Sequence, residues 1–134
     1  VSLARQVNAD GVHLGRQDNS VEKARSELGN DFIIGSSCYN QLQLAREAQA
    51  KGVDYVAFGR FFPSLTKPDA IAANPLLITQ AKQELDIAVC AIGGITLDNA
   101  LEVIEKGADM IAVINNLFAA EHIKQRAMQF SDLF

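Results

Sequence analysis

Short apolar runs recur along the chain, with helix-like segments between them. The runs are Gly11 to Gly15, Asp31 to Gly35, Tyr55 to Gly59, Ile87 to Ile92 and Met110 to Ile114. Each is mostly β-branched or aromatic. Continuous apolar runs of about five residues predict strands buried on both faces, as parallel sheets require.

The segments between them carry helix punctuation. Ser20 is placed to cap a helix through Leu28 that Gly29 stops. Asn40 is placed to cap a second, with Leu44 and Ala48 on one face and Gly52 as the stop. Asn74 followed by Pro75 reads as a cap and a first helical residue. Thr96 is placed to cap a helix carrying Ala100, Leu101 and Ile104 and ended by Gly107. Ile123, Ala127 and Phe130 mark a last helix over about 119–130, and Leu3 and Val7 the tail of an initial one. Strict alternation of helix and strand predicts βαβ units and a parallel sheet.

A faint internal repeat reinforces this. Asn8 to Gly15, Gly52 to Gly59 and Gly107 to Ile114 each run from a helix stop through an aspartate into a strand. Asp10, Asp54 and Asp109 read as turn residues that bond nearby backbone N–H groups. One unit reused in this way is the pattern of a (β/α) barrel.

Composition narrows the class. The chain has 134 residues, 49% hydrophobic and 21% charged, within ordinary globular usage. The net charge of −4 disfavours generic nucleic-acid binding. Cys38 and Cys90 match no metal or redox spacing and read as small buried hydrophobes, in keeping with a reducing cytoplasm. The chain begins at Val1, so it is expected either to have lost a segment or to be part of something longer.

Ligands in such folds bind at the carboxyl ends of the strands, so candidate chemistry is sought there. Asp18 follows the first strand and suits either Mg²⁺, with phosphate oxygens and waters, or a second capping role. Ser36 and Ser37 follow the second, as anion donors or as polar loop filler. Pro63 to Pro68 after the third holds Ser64, Thr66 and Lys67, a stiff donor array suited to phosphate. Gly93 and Gly94 after the fourth let a ligand approach backbone closely, and Ile114 to Asn116 follow the fifth. His13, within the first strand, reads as a satisfied core histidine or as a substrate contact from the barrel lumen, and His122 is expected to face solvent. No Ser-His-Asp, Cys-His, zinc or GxGxxG pattern is present.

In combination these pieces resemble the thiamine phosphate synthase family. The resemblance rests on Ala9 to Gly15 with Asp18, Ile34 to Ser37, Phe58 through Pro68, Ala91 to Thr96, and Gly107 through Ile114, in family order. It implies a (β/α)₈ TIM barrel of which residues 1–134, a single domain, cover about strands four to eight, the C-terminal part. Five units of about 27 residues compare with ~31 for an eight-unit barrel of ~250 residues. It implies an enzyme that joins hydroxymethylpyrimidine diphosphate to a thiazole phosphate, releasing pyrophosphate and giving thiamine monophosphate. Loss of pyrophosphate leaves a pyrimidine methylene cation that the thiazole nitrogen captures.

By position, Asp18 would be one of two Mg²⁺ ligands, and Ser37 and Lys67 would hold the diphosphate as the catalytic pair. Ser64, Leu65, Thr66, Gly94, Ile114 and Asn115 would contact the thiazole phosphate. Arg16-Gln17, Tyr39 and Asn115 depart from the usual Gln-Glu, histidine and serine. The resemblance further implies a cytoplasmic enzyme of small-molecule substrates, possible self-association, and neither nucleic acid nor membrane as partner. Two alternatives stand beside it: a thiazole tautomerase-like relative, and a non-catalytic phosphate-binding module. The second Mg²⁺ ligand and diphosphate-binding Arg and Lys would precede Val1. The 134 residues alone are therefore expected to be inactive and to oligomerise or be poorly stable.

Overall fold

A computed structural model describes residues 1–18, 20–63 and 72–134. The elements alternate as predicted: α1 (Ser2–Gln6), β1 (Gly11–Leu14), α2 (Val21–Leu28), β2 (Ile33–Tyr39), α3 (Leu42–Ala50), β3 (Tyr55–Phe58), α4 (Leu76–Glu84), β4 (Ala88–Ile92), α5 (Ala100–Ile104), β5 (Met110–Ala112), α6 (Asn115–Phe118) and α7 (Ile123–Ser131). The five strands are all parallel, in the order β1-β2-β3-β4-β5, and form an open half-barrel.

Period-two alternation assigns the two faces of the sheet. Ile34 and Cys38 of β2, Val56 and Phe58 of β3, and Val89 and Ala91 of β4 are fully buried towards the helices. Ala24, Ala45, Ala48, Ile78, Ala81, Ala100 and Val103 cover them from the helix side. Small alanines there bring the helices close to the strands.

The expectation of strands buried on both faces fails at β1 and β2. His13 is exposed and Ile33 is 50% exposed. Five strands leave the sheet open, so no described strand lies opposite that inner face. His13 is accordingly not a core residue.

Local punctuation holds in part. Ser20 Oγ accepts the Lys23 N–H at 3.2 Å, and Asn74 Oδ1 accepts the Leu76 N–H at 2.9 Å, as capping requires. Asn40 does not cap α3, because β2 runs on to Tyr39 and Gln41 becomes the flanking residue. Ser36 and Ser37 lie inside β2, paired with Val56 and Ala57; after them Cys38 is an extra residue, and the ladder resumes at Tyr39 opposite Phe58. Polarity made these serines look like loop. Their ladder positions keep them in the strand.

Thr96 is displaced as a cap by Asn99, whose Oδ1 accepts the Thr96 N–H at 2.8 Å. The last helix starts later than expected, with α7 beginning at Ile123, and a separate short α6 begins at Asn115. The β5 strand is shorter than its apolar run.

The repeat has a structural meaning that its sequence did not reveal. Asp54 donates its N–H to Ile34 O at 2.8 Å, and its Oδ2 accepts the Ile34 N–H at 2.6 Å and Arg25 at 2.7 Å. Asp109 repeats this with Val89, two units later, and with Lys82 on α4. The bonded N–H is therefore not nearby in sequence. It belongs to the adjacent strand.

Candidate functional site

The carboxyl ends of β2 to β5 enclose a cleft of about 590 Å³. Ser37, Gly94, Ile114 and Asn115 line it. These four expected site residues, from strand β2, the turn after β4 and the start of α6, are thus brought together. Ser64, Leu65, Thr66 and Lys67 lie outside the described residues.

Asp18 is not in the cleft. It closes a turn at the end of β1, where Oδ2 accepts the Gly15 N–H at 2.6 Å. Asp18 thus braces its own turn, while the α2 cap bond is made by Ser20. The bond to Gly15 occupies one carboxylate oxygen and leaves the other directed to solvent or a ligand, since Asp18 is exposed. Among the described residues no three acidic, histidine or cysteine side chains gather into a metal cage. Asp18 fits Mg²⁺ as a single carboxylate ligand, a mode in which phosphate oxygens and waters complete the shell.

Gly94 owes its identity to close approach. Its φ is +71°, and a Cβ there would lie 2.4 Å from Pro63 O and 2.5 Å from Phe62 O. The Phe62 N–H donates to Gly93 O at 3.1 Å, so the segments after β3 and β4 are joined at the cleft wall. Asn99 braces the same turn, donating from Nδ2 to Gly94 O at 3.1 Å.

On the far wall, Arg126 reaches in from α7. Its guanidinium donates to Asn116 Oδ1 at 2.8 Å and to Asn116 O at 3.3 Å. Arg60 also lines the cleft. Two guanidiniums, a serine and the exposed Asn115 amide give this apolar cleft a donor set suited to an anion. Sequence reasoning passed over Arg126, Asn99 and Tyr55. Arg126 looks like an ordinary polar position of an amphipathic helix. Asn99, three residues after Thr96, was legible as a possible cap partner.

At the inner wall His13, Ser37 and Tyr55 form a hydrogen-bonded chain across β1, β2 and β3. His13 Nδ1 lies 3.0 Å from the Tyr55 hydroxyl, and Nε2 lies 2.8 Å from Ser37 Oγ. Gly35 makes this possible. It pairs with His13 on one side and Tyr55 on the other. A Cβ on Gly35 would fall 2.1 Å from Tyr55 Cζ, so the ring crosses β2 only over a glycine. Partial desolvation of the ring pushes the His13 imidazole below its ordinary 6.5, outweighing the opposing pull of the Asp18 carboxylate. Burial also pushes the Tyr55 phenol up, with the neighbouring Cys90 adding to the rise.

The cysteines take no part in this chemistry. Both are buried, and burial pushes the Cys38 thiol up to about 12 and the Cys90 thiol up to about 11. No helix among the described residues is long and apolar enough to cross a membrane.

Residues 1–117 match the family model described as thiamine monophosphate synthase. A thiamine-phosphate synthase of Azoarcus sp. is 57% identical over all 134 residues, which span 65% of that relative. One of Nitrosospira multiformis is 53% identical, again over the whole chain and 57% of the relative. Among solved structures, a thiamine phosphate pyrophosphorylase from Pyrococcus furiosus superposes with a TM-score of 0.88 at 38% identity, over 98% of this chain and 62% of its own. The chain thus spans about three-fifths of the length of the relatives it matches.

Proposed function

This chain belongs to the thiamine monophosphate synthase family, and on that basis we propose that it carries most of the active site of a thiamine phosphate synthase. The reaction joins hydroxymethylpyrimidine diphosphate to a thiazole phosphate and releases pyrophosphate. The observation that carries this reading is the convergence of Ser37, Gly94, Ile114 and Asn115 on one cleft at the carboxyl ends of the strands. In finer terms, the five strands are strands four to eight of a (β/α)₈ barrel, and residues 1–134 are the C-terminal portion of that domain.

The chain's own residues divide the work by charge. Ser37 and Lys67 hold the diphosphate and stabilise it as it departs. Gly94, Ile114 and Asn115 fix the thiazole phosphate, largely through backbone and amide groups, with Ser64, Leu65 and Thr66 as further contacts to it. This holds the nucleophilic nitrogen in line with the carbon it attacks. Asp18 would hold Mg²⁺, which when bound supplies positive charge opposite the diphosphate oxygens. No general base is required, and the His13 imidazole, pushed down by desolvation, is engaged by Ser37 instead. The enzyme works in the cytoplasm on small molecules.

The test is an assay of the intact protein with both substrates and Mg²⁺. Thiamine monophosphate formation, lost in Lys67→Ala, supports the proposal. No product, together with turnover of a thiazole carboxylate phosphate alone, overturns it in favour of an isomerising relative. We further propose that the 134 residues by themselves form no product and self-associate, since β1 and β5 each pair on one side only among the described residues.

A further inference from the structure

We propose that the Tyr55–His13–Ser37 chain is a positioning device that presents the Ser37 hydroxyl to the cleft as a hydrogen-bond donor, with His13 held in the Nε2–H tautomer. The inference rests on the reading of Ser37 as a contact to an anionic diphosphate, and it adds why that serine accepts the anion.

The argument follows the protons. A serine hydroxyl has one hydrogen and two acceptor lone pairs. Ser37 Oγ lies 2.8 Å from His13 Nε2, so one partner in that bond must supply the hydrogen. If Ser37 supplied it, only lone pairs would face the cleft, and they would repel a phosphate oxygen. If Nε2 supplies it, the hydroxyl hydrogen is free to turn to the ligand.

Which case holds is decided at the other ring nitrogen. Tyr55 is 3.0 Å from Nδ1, and its phenol keeps its proton because burial disfavours the phenolate. A phenol donating to Nδ1 leaves a neutral imidazole with its own hydrogen on Nε2. Two features hold this arrangement in place. The His13 and Tyr55 rings face each other at 5.5 Å between centroids. The Tyr55 ring occupies the space that any side chain at position 35 would fill. The chain thus crosses three strands in one layer, and Ser37 is its only member on the cleft wall.

Two substitutions of His13 separate this role from simple packing. His13→Gln carries an amide N–H near the former Nε2 and retains the donor to Ser37. His13→Asn reaches only as far as the former Nδ1 and does not. In the intact protein, His13→Asn and Ser37→Ala are each expected to raise KM for the pyrimidine diphosphate about tenfold, the loss of one hydrogen bond to a charged group. His13→Gln is expected to remain close to the unsubstituted protein. Tyr55→Phe removes the donor to Nδ1 and raises the same KM, leaving KM for the thiazole phosphate unchanged.

The direct readout is ¹⁵N NMR of the histidine side chains, with His13→Gln assigning the resonances. A protonated Nε2 and a bare Nδ1 support the device, and loss of that single tautomer in Tyr55→Phe supports it further. A proton on Nδ1 in the unsubstituted protein overturns it, as do equal KM values in the Gln and Asn variants. A protein that makes no thiamine monophosphate overturns the functional reading, while the ¹⁵N spectrum still decides the tautomer.

Discussion

Asp109 grips Val89 at two points. Its N–H donates to Val89 O at 2.9 Å, and its Oδ2 accepts the Val89 N–H at 2.7 Å, so one residue clamps the start of the strand beside it. Lys82 holds the same carboxylate at 2.8 Å. Asp109→Ala strands the Val89 N–H as well as the Lys82 ammonium. It is expected to destabilise the fold by about 1–2 kcal/mol in urea unfolding of the intact protein.

The same clamp carries a pH dependence. Burial disfavours the charged Asp109 carboxylate, but the Lys82 ammonium and the Val89 N–H outweigh it and hold the group below its ordinary 3.8. A depressed folded pKa stabilises the fold above the unfolded value, and this contribution is lost as pH falls through the folded one. Unfolding free energy is therefore expected to drop below about pH 4. The drop is expected to be shallower in Asp109→Asn, which urea titrations at about pH 5 and about pH 3 would measure.

Gly94→Ala is expected to damage both stability and the cleft. The added methyl would meet two carbonyl oxygens on backbone with a φ of +71°. A loss of about 1–3 kcal/mol in thermal unfolding follows from overpacking and strain. KM for the thiazole phosphate should rise more than KM for the pyrimidine diphosphate.

Cys38 and Cys90 should be inert in the native protein. With thiols pushed up to about 12 and about 11, little thiolate forms at mildly alkaline pH. A thiol reagent is expected to label neither until denaturant is added, and rapid labelling of the native protein would contradict their placement.

Arg126→Ala is expected to raise KM for the thiazole phosphate about tenfold, the scale of one charge-assisted bond lost. The two bonds to Asn116 hold that guanidinium at the cleft wall. Arg126→Lys keeps the charge but not the planar guanidinium whose Nη1 bonds both Asn116 oxygens, so it should recover activity only partly, as steady-state kinetics would measure.

The alternation of elements was legible because each βα unit has its own apolar run, and Gly29, Gly52 and Gly107 mark three of the helix ends. The edges of elements were less legible. Ser36 and Ser37 look like loop because a serine pair is polar, and only the ladder to Val56 and Ala57 keeps them in β2. Asn40 and Thr96 satisfy cap propensity, but the first lies beyond an extended strand and the second is served by Asn99. The site was legible where strand ends carry small or polar residues, as at Ser37, Gly94 and Asn115. It was not legible at Arg126 or Tyr55. Their positions depend on how α7 returns to the sheet and on a ring crossing at Gly35, which no local pattern encodes.

The unbroken strand order has a consequence for how the protein is made. Each strand pairs with the one synthesised just before it. The sheet can therefore lengthen in step with the ribosome, without holding a gap open for a later strand. The aspartate clamps close each addition from the next unit: Asp54 fastens β2 as β3 arrives, and Asp109 fastens β4 as β5 arrives.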